Sequence, residues 1–141
     1  MSLDAALNVS ASALTAERTR VEVAVSNLAN AESTRGADGK PYRRRDVVLA
    51  ADAANSFDAA MTSAGAVGVK VAAIVEDQSP FPRRYDPSHP DADREGFVAM
   101  PNVDQPSEMV NMLSASKAYQ ANLTAISLIR DLVSKALELG K

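Results

Sequence analysis

The chain has no cysteine and no tryptophan, one histidine, and six aromatic residues among 141. Without cysteine there are no disulfides, no thiolate metal sites and no thiol nucleophile. The single histidine, His89, leaves most catalytic and metal sets without a second member. Long apolar runs are missing as well. No stretch of about 18 apolar residues is present to span a membrane, and no basic patch followed by an apolar run marks a cleavable signal peptide. Nor is there an excess of positive charge: 15 Lys and Arg stand against 18 Asp and Glu, a net charge of −3. Bulk electrostatics therefore do not favour nucleic acid. The six glycines form neither a G-x-G-x-x-G nor a Walker phosphate loop. No cofactor or metal ion is implied.

Two further absences are local, and they organise the chain. Leu3 to Asn30 and Ser107 to Leu139 contain no proline and no glycine, whereas residues 36–106 hold all seven prolines and every glycine except Gly140. In the C-terminal stretch Met109, Met112, Tyr119, Leu123, Ile126, Val133 and Leu137 recur at steps of three and four, with Ser116 and Arg130 filling the gaps. Such spacing keeps side chains on one face of a helix. The strict seven-residue series Met109, Ser116, Leu123, Arg130, Leu137 suits a coiled-coil seam. In the N-terminal stretch Leu7, Leu14, Val21 and Leu28 lie seven apart, with Leu3, Ser10, Glu17 and Ala24 between them. Two long helices are expected, the second about 48 Å long at 1.5 Å per residue. Neither hides its stripe alone, so these apolar residues are the expected packing interface. The same residues would serve a hairpin closed on itself or a subunit whose helices also pack on neighbours. Ser2 or Asp4 suits the first helix as N-cap, and Ser107 suits the second, with Glu108 complementing its dipole.

The middle reads differently. Gly36 to Pro41 is a turn cluster. Arg45 to Ala50 reads as a short strand, and the alternation from Val69 to Glu76 as another. Between them residues 51–67 are rich in Ala, Ser, Asn and Asp and read as a mobile loop or weak helix. Arg83 to Asp86 and Phe97 to Met100 read as two more short strands across a polar turn. The expected fold is α+β. A helix in residues 1–35 and a helix in residues 107–141 form a coiled-coil-like pair around a small β-rich insert, residues 36–106.

Chemistry-bearing patterns are few. Asp91, Asp93 and Glu95 before Gly96 match the first half of a calcium loop, but the twelfth position is Asn102 rather than a bidentate glutamate. A solvated acidic turn is the better reading. His89, between Pro87 and Pro90, reads as a loop histidine. Arg43, Arg44, Arg45, Arg83 and Arg84 are expected to pair with acidic neighbours, because nucleic-acid binding would need a broader basic face.

At this point a resemblance enters. Ala13-Leu-Thr-Ala-Glu-Arg18 and Val25-Ser-Asn-Leu-Ala-Asn-Ala31, followed by Ser33-Thr-Arg35, resemble the N-terminal signature of bacterial flagellar rod and hook proteins. Its core is Asn27, Leu28, Ala29 and Asn30. Pro41 to Val48, Gly68 to Val71, Val75 to Asp77, Tyr85 to Pro87, His89 to Asp93, Gly96 to Val103 and Glu108 to Val110 narrow it to the C-type rod proteins of the proximal rod. Ser114 to Asn122 is similar to the C-terminal signature of the same axial family. The resemblance implies a non-enzymatic structural subunit of a hollow rod that transmits torque across the periplasm. It implies export through the flagellar type III gate without a cleaved signal. Implied partners are other rod proteins, the rod-to-membrane-ring junction protein, further copies of the chain and the export gate, with no nucleic acid and no membrane insertion. Asn27 and Asn30 are expected to cap or link the helix end. A soluble helical-hairpin binding or adaptor module, and a small hydrolase built on His89, are the rival readings of the same residues.

Overall fold

A computed structural model of the chain describes residues 3–52 and 67–139. Helix α1 (Leu3–Ala29) is followed by strands β1 (Arg45–Asp52), β2 (Gly68–Glu76), β3 (Arg83–Tyr85) and β4 (Phe97–Ala99), and then by helix α2 (Gln105–Leu139). The fold is α+β, two long helices flanking small antiparallel sheets. The four strands fall on the four segments expected to be extended, Arg45 to Ala50, Val69 to Glu76, Arg83 to Asp86 and Phe97 to Met100, within a residue or two at each end. Most of the stretch read as a loop or weak helix, residues 53–66, lies outside the described residues.

The two helices pack on each other. Asn27, near the end of α1, meets Glu108, near the start of α2, so the pair is antiparallel. The contact is built from small side chains. Among the described residues the buried apolar ones are Ala16, Ala24, Ala31, Val98, Met100 and Ala115, joined by Ser10, Asn27 and Glu108. Small residues let two helix backbones approach closely but cover little apolar surface, so burial stabilises this pair less than a leucine-filled seam would.

Strands β1 and β2 form a hairpin ladder running from Arg45 opposite Glu76 to Asp52 opposite Gly68, with a bulge between Val48 and Leu49. The hairpin lies along α1. There the Ser12 hydroxyl donates to the Val9 carbonyl at 2.7 Å and accepts the Val69 N–H at 3.0 Å. A Cβ at Gly68 would sit 2.9 Å from the Ser12 oxygen, so glycine permits this approach. Strands β3 and β4 pair from Arg83 opposite Ala99 to Tyr85 opposite Phe97. The rings of Tyr85 and Phe97 meet edge to face at 5.3 Å. Gly96 enters β4 with φ +83°, the left-handed conformation that favours glycine.

The start of α2 departs from the sequence expectation. The helix begins at Gln105, two residues before the expected cap Ser107. The cap is Asp104, whose carboxylate accepts the Ser107 N–H at 3.2 Å and its hydroxyl. Pro106 falls inside the first turn, where its missing N–H needs no partner, so it does not delay the helix.

Candidate functional site

The most constrained place in the molecule is a polar knot where both helices meet the insert. Asn27 is fully buried and uses its whole amide. Its nitrogen donates to the Arg45 carbonyl at 2.8 Å and to Glu108 Oε2 at 2.9 Å. Its oxygen accepts the Arg45 N–H at 3.0 Å and the Tyr42 hydroxyl at 2.9 Å. The side chain thus stands in for a β-strand partner at the first residue of β1. Glu108 is 2% exposed and also accepts from Arg44 Nε at 2.7 Å. Arg44 further lies 3.5 Å from Asp46 and 3.7 Å from Asp77. Burial opposes its charge, but the bond to Glu108 and the surrounding carboxylates outweigh that and raise its pKa.

A second layer ties the two connecting segments together. The Arg44 N–H donates to Asn102 Oδ1 at 2.8 Å, and Asn102 Nδ2 donates to the Asp77 carbonyl at 3.0 Å. The Asp77 N–H returns to the Arg44 carbonyl at 2.8 Å. Among the described residues, no buried side-chain polar atom lacks a partner. Asn30 serves the end of α1, donating to the Ser26 carbonyl at 2.9 Å and accepting from the Ser33 hydroxyl at 3.1 Å. Leu28 is half-buried beside it and Ala29 is exposed.

Of the arginines expected to pair with acids, Arg44, Arg83 and Arg84 do so within the chain, whereas Arg43 and Arg45 meet carbonyl oxygens or aromatic rings instead. Arg43 donates to the Asp77 and Ser79 carbonyls and stacks 4.4 Å over the Phe81 ring. Arg83 pairs with Asp93 and covers Phe97, and Arg84 reaches Glu32 at 3.2 Å. Arg45 lies 5.8 Å from the Tyr42 ring. The acidic turn is divided among separate partners. Asp91 accepts the Thr34 hydroxyl at 2.9 Å and faces Arg35 at 3.2 Å. Asp93 accepts the N–H groups of Glu95 and Phe97, each at 2.9 Å. His89 Nδ1 accepts the Asp91 N–H at 3.1 Å, so this histidine braces the same turn.

The expected packing residues occupy two kinds of place. Leu7, Leu14, Val21, Leu28, Met112, Tyr119, Ile126 and Val133 are half-buried along the helix pair. Met109, Leu123 and Leu137 are exposed, and so are Val110, Leu113, Leu128 and Leu132. Among the described residues, helix α2 therefore carries seven large apolar side chains that stay exposed. Between the helices, Val21, Ser116 and Tyr119 line a shallow apolar hollow.

The sequence matches known proteins along nearly its whole length. Residues 7–37 match the family model described as "Flagella basal body rod protein", and residues 94–139 match "Flagellar basal body rod FlgEFG protein C-terminal". The flagellar basal-body rod protein FlgC of Escherichia coli O6:H1 is 46% identical over 134 residues, covering 95% of each chain. That of Bacillus subtilis is 45% identical over 144 residues and 96% of each. That of Borreliella burgdorferi is 40% identical over 148 residues and 97% of each. The chain belongs to the FlgC family of flagellar basal-body rod proteins. The two matched segments contain Asn27 and Glu108, so the helix-to-helix bond of the knot joins the two family signatures. Strands β1 and β2 lie outside both matched segments but within the FlgC relatives' coverage.

Sequence reasoning did not find the knot itself. By sequence, Glu108 is a helix-dipole partner, Asn102 breaks the calcium-loop pattern, and Arg44 is one of a basic run. Nothing in the local spacing announces that these three converge, because they come together across 58 and 64 residues of sequence.

Proposed function

We propose that the chain is a structural subunit of the proximal part of the flagellar rod, working through interfaces rather than chemistry. In this reading residues 1–35 and 107–141 form the axial core, and residues 36–106 lie further out against neighbours. The subunit transmits torque across the periplasm after passing the type III export gate without a cleaved signal. Its partners are other rod proteins, the junction protein between rod and membrane ring, and further copies of itself. Among the described residues no helix is long and apolar enough to cross a membrane.

The observation that carries this reading is the set of large apolar side chains left exposed on α2. A helix that leaves Met109, Val110, Leu113, Leu123, Leu128, Leu132 and Leu137 exposed needs surfaces beyond this chain, and the family of rod proteins supplies the context for them. Together with the half-buried Leu7, Leu14, Val21, Leu28, Met112, Tyr119, Ile126 and Val133, these form the proposed packing set. The test is Leu123→Asp at the natural locus. A carboxylate buried against a neighbour lacks a partner, so rods fail to assemble and motility is lost. Normal swimming, with complete basal bodies on electron micrographs, would remove Leu123 from the interface.

A further inference from the structure

Among the described residues, four backbone N–H groups of the insert are held by the side chain two residues before them. Asp38 holds Lys40 at 3.1 Å, Asp77 holds Ser79 at 2.8 Å, Asp93 holds Glu95 at 2.9 Å and His89 holds Asp91 at 3.1 Å. Three of these acceptors are carboxylates, which go on accepting through the neutral range. The fourth is the half-buried imidazole of His89, and an imidazole changes charge between about pH 5 and 8. Accepting at Nδ1 requires the neutral ring with its proton on Nε2. A protonated ring donates from both nitrogens, so it meets the Asp91 N–H donor to donor.

The bond sits at a join. Asp91 accepts the Thr34 hydroxyl at 2.9 Å and faces Arg35 at 3.2 Å, both on the segment that leaves α1. Thr34, Arg35 and Pro41 line one hollow with Pro90, Asp91 and Ala92. A second tie between this segment and the β3–β4 unit, Arg84 to Glu32 at 3.2 Å, is an exposed ion pair and contributes little. The charges nearby favour a proton on the ring. Asp86 lies within its electrostatic reach and stays ionised through the neutral range, because the Ser88 hydroxyl first of all holds its carboxyl below the ordinary range. Arg84 acts on Asp86 from the same unit and Arg35 on Asp91 from the facing segment, so each carboxylate is partly offset. We propose that His89 is a proton-operated latch on the 86–92 turn. Neutral, it accepts the Asp91 N–H and keeps Asp91 on Thr34 and Arg35; protonated, it releases that N–H and turns to the Asp86 carboxylate. The latch acts within one chain, so it stands apart from the rod reading.

His89 is the only histidine, so its ring signals in a nitrogen-correlated NMR spectrum of the full chain are unambiguous. The neutral ring is expected as the Nε2–H tautomer. As pH falls from about 7.5 to about 5.5, the Asp91 amide should shift with the midpoint of the ring nitrogens. It should also exchange with solvent about fivefold faster, relative to an unprotected amide, the factor that one hydrogen bond supplies. The Thr34 and Arg35 amides should follow with the same midpoint. In His89→Asn the side-chain oxygen accepts at the same two-residue spacing, as the aspartates do, so Asp91 stays protected at both pH values. In His89→Ala it is unprotected at both, and neither variant shows a step. A neutral ring in the Nδ1–H tautomer overturns the inference, as does an Asp91 amide that ignores the midpoint of the ring. A step that survives in His89→Asn assigns the response to another group and overturns it too. If Asp91 responds while Thr34 and Arg35 stay fixed, the ring titrates without working a latch, and the inference falls.

Discussion

The two ends of the helix pair are held by opposite means. Where α1 ends and α2 begins, Asn27, Arg44, Arg45, Tyr42 and Glu108 close a knot in which every buried side-chain polar atom has a partner. Towards the other end of α2, no residue after Ala115 whose side chain is described is buried, and Leu128, Leu132 and Leu137 stand exposed. The first end is specified by direction-dependent bonds within one chain. The second offers apolar area without specifying what covers it. That division suits a subunit that must have one internal geometry and yet leave a long surface to be completed by others.

Breaking the knot gives the largest effect on the free chain. Asn27→Ala leaves the N–H and carbonyl of Arg45, the Tyr42 hydroxyl and one oxygen of Glu108 short of a partner. Losing buried partners of this kind costs about 3 kcal/mol, expected as a lower urea midpoint followed at 222 nm. Next comes Ala115→Leu. Ala115 is 0% exposed, and the added volume forces the helices apart at a cost of about 2 kcal/mol in the same assay. At the far end Leu132→Ser should change the free chain by no more than about 0.5 kcal/mol, because Leu132 is 61% exposed. If Leu132→Ser costs as much as Ala115→Leu, the two ends are not held differently and the contrast fails.

The same contrast explains what could be read in advance. Helices, strands and the α+β class follow from local rules. The lack of proline and glycine in both terminal stretches marks the helices, alternation marks Val69 to Glu76, and seven-residue spacing marks both termini. The Asn-Leu-Ala-Asn core was legible only through family resemblance. The role of Asn27 was not legible, because its partners Tyr42, Arg45 and Glu108 are brought to it by the fold over separations of 15 to 81 residues. The apolar stripe is expected as a packing face, and within the chain Ala16, Ala24 and Ala115 are buried, Leu7, Leu14, Val21 and Leu28 are half-buried, and Leu123 and Leu137 are exposed. Periodicity shows which side chains share a face, but it does not say whether the chain itself or a neighbour covers that face.

The smallest effect concerns the insert, whose turns hold carboxylates by hydrogen bonds instead of burial. Asp93 is kept below its ordinary pKa first by the Phe97 N–H, then by the Glu95 N–H and by Arg83. Asp77 is lowered first by the Ser79 hydroxyl and then by the Ser79 N–H and the nearby arginines, and Asp86 first by the Ser88 hydroxyl. A carboxylate whose folded pKa lies below its unfolded value contributes stability that is present above the unfolded value, near 4. That contribution is lost as pH falls through the folded value. Acid should therefore loosen the 86–97 turn while leaving it intact at neutral pH. The Phe97 amide resonance, bonded to Asp93, reports this directly in a two-dimensional NMR titration. In Asp93→Asn the side chain still accepts from both N–H groups but carries no charge for Arg83, so the Phe97 titration step should flatten. A step of the same size in that variant would assign the acid response to Asp86 or to a neighbour instead.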